Sequence, residues 1–170
     1  MREYDPTAGG SFTELASYCL LPIIKLLGTD YKAIRFEFFK GKNDVDIYAK
    51  AHLSYHGAVA TAKTGIGVKS EGQLLISGTN GYILVKSPWW LVKGFEVCYD
   101  SPEKNEDFTA PFHGHSMCIE IADFIRNIKE PAKWNFKLSP DDSIAIASLI
   151  ERFLKERNLE SVHQASSVCA

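Results

Sequence analysis

The sequence predicts an α+β fold: a mainly antiparallel (mixed) open sheet of about six to seven strands, with helices packed on one of its faces. Three observations predict it. From Asp44 to Tyr55 the positions Val45, Ile47, Ala49, Ala51, Leu53 and Tyr55 are apolar or small, while Asp44, Asp46, Lys50, His52 and Ser54 are polar, a period of two. His56-Gly57 and Thr79-Asn80-Gly81 are tight-turn signals that join such runs into hairpins. Helical periodicity, by contrast, is confined to the two ends of the chain.

In chain order, a polar, turn-rich start ends in Gly9-Gly10 and leads into a helix. Phe12, Leu15, Ala16, Cys19, Ile23 and Leu26 form its expected core stripe, with Ser11, Glu14, Tyr18 and Lys25 opposite. Pro22 is expected to kink or split this helix, and Gly28 to end it. Tyr31 to Phe39 reads as an aromatic strand. Pairing Tyr55 with Ala58 across the His56-Gly57 turn sets Leu53 opposite Ala60, Ala51 opposite Ala62, and Lys50 opposite Lys63. Gln73 to Ser77, Tyr82 to Val85, Phe95 to Tyr99 and Phe108 to Phe112 are further strands, the second and third separated by Ser87-Pro88-Trp89-Trp90. After His113-Gly114 a helix places Met117, Ile121, Phe124, Ile125 and Ile128 on one face, ending near Lys129. A last helix starts with Ser139 as cap, Pro140 in the first turn, and Asp141 and Asp142 at the positive dipole end. Residues 1–158 are expected to form one domain, and 159–170 a polar tail.

A chain of 170 residues can bury about 70% of its unfolded surface without disulfides or metal. With 19 Lys and Arg against 21 Asp and Glu, no overall charge favours nucleic acid or an anionic membrane. Cys19, Cys98, Cys118 and Cys169 stand apart, as free thiols in a reducing, cytoplasmic setting do. No apolar run approaches the roughly 20 residues that span a bilayer.

The chemistry-bearing residues are few. Neither a P-loop nor a complete dinucleotide fingerprint occurs; Gly65-Ile66-Gly67 lacks the third glycine and leads to a strand, which suits a bulge or strand corner. Glu14 and Tyr18 lie four apart near a positive helix end, so a carboxylate and a phenol share one face, able to position or exchange protons with a hydroxylated ligand. Ser11-x-x-Glu14 is equally a capping box, in which Glu14 serves a backbone amide. His113-Gly114-His115 offers two imidazoles, short of the ligand number of a zinc site, and reads as a loop near a ligand or in solvent. Trp89-Trp90 either stacks on a sugar or fills a core or interface. Lys50 opposite Lys63 marks a bound anion or a neighbouring carboxylate such as Glu71.

GGSFTELASYCLLPIIKLLG, the strand pattern from Asp44 to Val85 with its G-T-x-G-Y-I turn, PWW and IEIADFIRNI together resemble the C-terminal domain of the glucose-fructose oxidoreductase / inositol dehydrogenase / MocA family. The resemblance implies a glyceraldehyde-3-phosphate-dehydrogenase-like C-terminal domain, with an N-terminal Rossmann domain in cis or in trans carrying NAD or NADP; this chain alone is expected to bind no cofactor and to be inert. It implies that Glu14 and Tyr18 stand in the catalytic helix, where the family has an acid and a polar ring, with Glu14 for the usual Asp and Ala16 for the usual Gly. Ser11, Trp89 and His113 are then candidate contacts to a sugar-type molecule. It further implies a homo-oligomer through the open sheet face at Lys50, His52, Thr61 and Lys63. The alternative is a non-catalytic self-association or ligand-sensing domain derived from that fold.

Overall fold

A computed structural model describes residues 2–7, 9–41, 44–91, 93–109, 116–130 and 138–167. They fall into two compact units, residues 1–69 with 138–170, and residues 70–137.

In the first unit the period-two run becomes β2 (Asp46–Ser54), lying between β1 (Ala33–Lys40) and β3 (Val59–Gly65) in an antiparallel sheet. The Tyr55 amide donates to the Ala58 carbonyl at 2.8 Å, and this turn sets the register. Leu53 faces Ala60, Ala51 faces Ala62 and Lys50 faces Lys63, as the hairpin predicts. The small face, with Ile34, Ala49, Ala51, Leu53 and Ala62, is buried against the helices α1 (Ser11–Leu27) and α3 (Pro140–Ser167). Phe153 of α3 is the hub: its ring centroid lies 4.3 Å from that of Phe12, and it meets Phe36 and Phe38 edge-on at 5.3 and 5.4 Å. Full burial of a ring such as Phe12 or Phe153 contributes about 1.5–3 kcal/mol.

Helix α1 ends at Gly28 as expected, but it runs unbroken through Pro22. Its buried row is Phe12, Ala16, Leu20 and Ile24, at strict four-residue spacing, while Leu26 is exposed. The expected stripe is therefore corrected by a small rotation, and Ser11, placed on the outer side by sequence, is fully buried. Helix α3 begins with the Ser139 cap: the Asp142 amide donates to Ser139 Oγ at 3.1 Å, and the Ser139 amide returns the bond to Asp142 Oδ2 at 2.9 Å. Its backbone stays helical to Ser167, through most of the stretch read as a tail.

The second unit holds β4 (Leu74–Gly78), β5 (Gly81–Val85), β6 (Gly94–Tyr99) and β7 (Glu106–Thr109) in a second antiparallel sheet, and helix α2 (Ser116–Lys129). Phe95 and Phe108 stack across β6 and β7 with centroids 4.7 Å apart. Residues 110–112, the expected end of the last strand, lie outside the described residues.

One sheet of six to seven strands is thus corrected to two sheets of three and four. The break falls at Gly65-Ile66-Gly67. There the amides of Ile66 and Gly67 both donate to the Ile47 carbonyl at 3.0 Å, a bulge that ends the ladder. The chain then passes through a stretch without alternation, from Val68 to Gln73, before pairing resumes.

Candidate functional site

The start of α1 is built from outside the helix. Its N-cap is Gly10, which has no side chain to offer, and no side-chain cap bond forms there. The carboxylate of Asp46, on β2, takes that role. Asp46 Oδ2 accepts from the Phe12 amide at 2.7 Å and from the Ser11 hydroxyl at 2.9 Å. Since Ser11 spends its proton there, Thr64 is the donor in the 3.1 Å contact between the two hydroxyls. Asp46 Oδ1 accepts from Arg157 Nη1 at 2.9 Å, and the same nitrogen donates to the Gly9 carbonyl at 2.8 Å. The ion pair is sealed, with side chains 2% and 0% exposed. Gly10 is held at φ 116°, and a Cβ there would stand 2.1 Å from Asp46 Oδ1. Glycine at position 10 is therefore a space requirement of the ion pair.

Past this junction α1 carries Glu14 and Tyr18 one turn apart. Glu14 is half-buried, and its amide makes a bond within the helix, to the Gly10 carbonyl at 3.2 Å. Tyr18, one turn on, is 58% exposed, so its phenol is open to a ligand. Pro22, inside the helix, lacks the amide that would otherwise bond the Tyr18 carbonyl. Behind them Cys19 Sγ donates to the Lys63 carbonyl at 3.4 Å; burial pushes this thiol up, and the neighbouring Lys63 offsets only part of the shift. A carboxylate and an exposed phenol one turn apart can grip a hydroxylated molecule through paired hydrogen bonds.

Ser11, Glu14 and Tyr18 all lie on α1, Ser11 fully buried, Glu14 half-buried and Tyr18 exposed. Trp89 belongs to the other unit, half-buried, its amide bonded to the Gly72 carbonyl at 3.2 Å and its ring 6.5 Å from the more exposed Trp90. His113, with Gly114 and His115, lies outside the described residues.

Asp46, Thr64 and Arg157 were missed by sequence reasoning. Asp46 was assigned to the polar side of the alternation, but a register shift pairs Lys40 with Asp46 immediately after Phe39 with Tyr48, and that bulge changes the face. One signal was present: Arg157 continues the buried row Ile146, Leu149, Phe153, and an arginine on a core row requires a buried partner. On the open face of the same sheet, Lys50 has Glu37 on one side and Lys63 on the other, so the neighbouring carboxylate in register is Glu37. His52 Nδ1 lies 3.0 Å from Thr61 Oγ1.

Gly65 and Gly67 are not the glycines of a phosphate cradle. A Cβ on Gly65 would fall 2.6 Å from Val68 Cγ2, and one on Gly67 2.9 Å from Ile47 Cβ. These glycines make room for side chains, not for a ligand. Among the described residues no three His, Cys, Asp or Glu side chains gather as a metal requires, and no helix is long and apolar enough to cross a membrane.

Two antiparallel sheets and three α-helices define a class, an α+β fold. Particular solved structures share it. The chain is similar to UDP-N-acetylglucosamine 3-dehydrogenase GnnA from Acidithiobacillus ferrooxidans, with TM-score 0.69 and 16% identity over 89% of this chain and 47% of that one. It is similar to KijD10, a 3-ketoreductase from Actinomadura kijaniata solved with NADP and TDP-benzene, with TM-score 0.69 and 17% identity over 89% of this chain and 47% of that one. The protein yvaA from Bacillus subtilis gives TM-score 0.67 and 16% identity over 94% and 51%. The chain therefore spans about half the length of these structures. No family model matches the sequence, and no curated protein matches it.

Proposed function

We propose that this chain is the substrate-binding and oligomerisation half of an NAD(P)-dependent sugar or sugar-nucleotide oxidoreductase, inert alone. The observation that carries the reading is the fold, shared over 89% of this chain with 47% of GnnA. In this reading Glu14 and Tyr18 meet the sugar and Ser11, bonded to Asp46, holds the helix start that carries them; Trp89 and His113, in the other unit, are separate candidate contacts to a sugar. The nicotinamide, NAD or NADP, is brought by a Rossmann domain in cis or in trans and supplies the hydride chemistry there. The outward face with Lys50, His52, Thr61 and Lys63 pairs copies of the chain, and the setting is the cytoplasm.

A second reading is a non-catalytic domain of the same fold, used for self-association or ligand sensing. The set Glu14, Ala16, Tyr18, in which Glu14 stands for the usual Asp and Ala16 for the usual Gly, favours it. The test mixes the purified chain with NAD(H) or NADP(H) and a panel of sugars and sugar nucleotides, following reduced-nicotinamide absorbance. The expected result is no turnover alone and turnover once a cognate Rossmann domain is added. Steady turnover by the chain alone would overturn the first reading; binding of a sugar nucleotide with no turnover in any mixture would favour the second.

A further inference from the structure

We infer that Asp46, clamped by Arg157, is a positioning residue for the Glu14–Tyr18 face, an inference that rests on the function proposed above. The bonding is directional in a way that stability alone does not require. A buried ion pair is often replaceable by apolar side chains at no loss, so its retention points to what its geometry fixes. Here both bonds to Asp46 Oδ2 come from consecutive residues at the start of α1, Ser11 and Phe12, at 2.9 and 2.7 Å. Asp46 Oδ1 is turned to Arg157, whose Nη1 also holds the Gly9 carbonyl just ahead of the helix, at 2.8 Å. Arg157 is in turn fixed at its own carbonyl by Lys40 Nζ at 3.2 Å. Strands β1 and β2 and helix α3 therefore converge on one helix end. Gly10, with its Cβ position filled by Asp46 Oδ1, cannot back away from the carboxylate without opening the junction.

Glu14 follows at once from this arrangement. Its amide bonds back to Gly10, between the two residues that the clamp holds, Gly9 and Ser11. A change in the angle of the first turn moves Glu14 directly, and Tyr18 one turn later swings with it. The far end of α1 is tied separately, by the Tyr55 hydroxyl donating to the Gly28 carbonyl at 3.1 Å. Loss of Asp46 should thus tilt the helix start while the Gly28 end stays in place.

The test incorporates 3-fluorotyrosine into the full chain and follows fluorine resonances, with the Tyr18 line assigned through Tyr18→Phe. Ser11→Ala removes one bond to Asp46 and leaves the ion pair; Asp46→Asn removes the charge. The expected result is a shifted or split Tyr18 line in both variants, larger in Asp46→Asn, with the Tyr31 and Tyr55 lines unmoved. An unmoved Tyr18 line in a folded variant, or Tyr18, Tyr31 and Tyr55 lines moving together, overturns the positioning role. Should Asp46→Asn not fold, Ser11→Ala decides alone. A parallel titration of the wild type with UDP-N-acetylglucosamine tests the proposed function by itself. If the Tyr18 line responds, the midpoint in Asp46→Asn should rise by about tenfold or more, as misplacement of a binding group produces. If it does not respond, the function falls while the helix-tilt result stands.

Discussion

The two units of this chain solve the burial problem differently. Around α1, β1 to β3 and α3, the apolar side chains close on one another, with Phe12, Ala16, Leu20 and Phe153 at 0% exposure, and even a charged pair is enclosed. In the unit of β4 to β7 and α2, Val85 is the buried hydrophobic side chain among the described residues. Leu75 is 58% exposed, Phe124 64% and Ile128 64%, so α2 shows water the face that sequence periodicity had marked for a core. The first unit is complete in its own contacts, down to a helix cap supplied from another element. The second holds its strands by ladder bonds and cross-strand pairs while apolar surface of the kind that marks interaction sites stays uncovered. The lesson is that the part bearing Glu14 and Tyr18 is the enclosed part, the setting that the proposed contacts would need.

The largest expected effect comes from breaking the enclosed pair. Arg157→Met leaves Asp46 charged and unpaired, and is expected to cost about 3–5 kcal/mol in urea unfolding. Replacing both partners, Asp46→Leu with Arg157→Met, should cost less than the sum of the single changes. Additive costs would mean that the two groups do not act as a pair.

A smaller effect is expected in acid. The Asp142 carboxyl is held down to about 2, first by the Ser139 amide and then by Lys25, whose Nζ lies 2.9 Å away. The folded chain thus binds this proton more weakly than the unfolded chain does. The stabilisation is full above the ordinary carboxylate value of 3.8 and is lost as pH falls from there towards about 2. Asp142→Asn should therefore flatten the loss of stability across that window, read as urea midpoints at successive pH values. An unchanged slope would remove Asp142 from the account.

The smallest effect sharpens the contrast from the other side. Leu75→Ser and Phe124→Ser, in the open unit, should change the stability of the isolated chain by no more than about 0.5 kcal/mol. A cost of several kcal/mol would show that these side chains are covered in solution.

What the sequence disclosed follows the same division. The β2–β3 register was legible because a long period of two met a two-residue turn, and a one-residue slip would have turned Ala49, Ala51 and Leu53 to water. The start of α3 was legible because Ser139 and Asp142 sit side by side in the chain and cap each other locally. Asp46 was not, because a bulge next to it altered the alternation, and its partner Arg157 lies 111 residues away. The division into two sheets was hidden for a similar reason: Gly65-Ile66-Gly67 read as a bulge or strand corner, but whether such a feature keeps or ends a ladder depends on Ile47, whose carbonyl takes both amides. For the candidate site, the Glu14 and Tyr18 spacing was visible, and the burial of Ser11 on the same helix was not.

Amide hydrogen exchange on the whole chain tests the contrast most directly, since it reads the opening free energy of each element. The account predicts slowest exchange in α1 from Phe12 to Ile24, in β2, and around Leu149 and Phe153 of α3, with the strands β4 to β7 exchanging much faster. Equal protection in the two units, or faster exchange at the start of α1 than in β5, would contradict it.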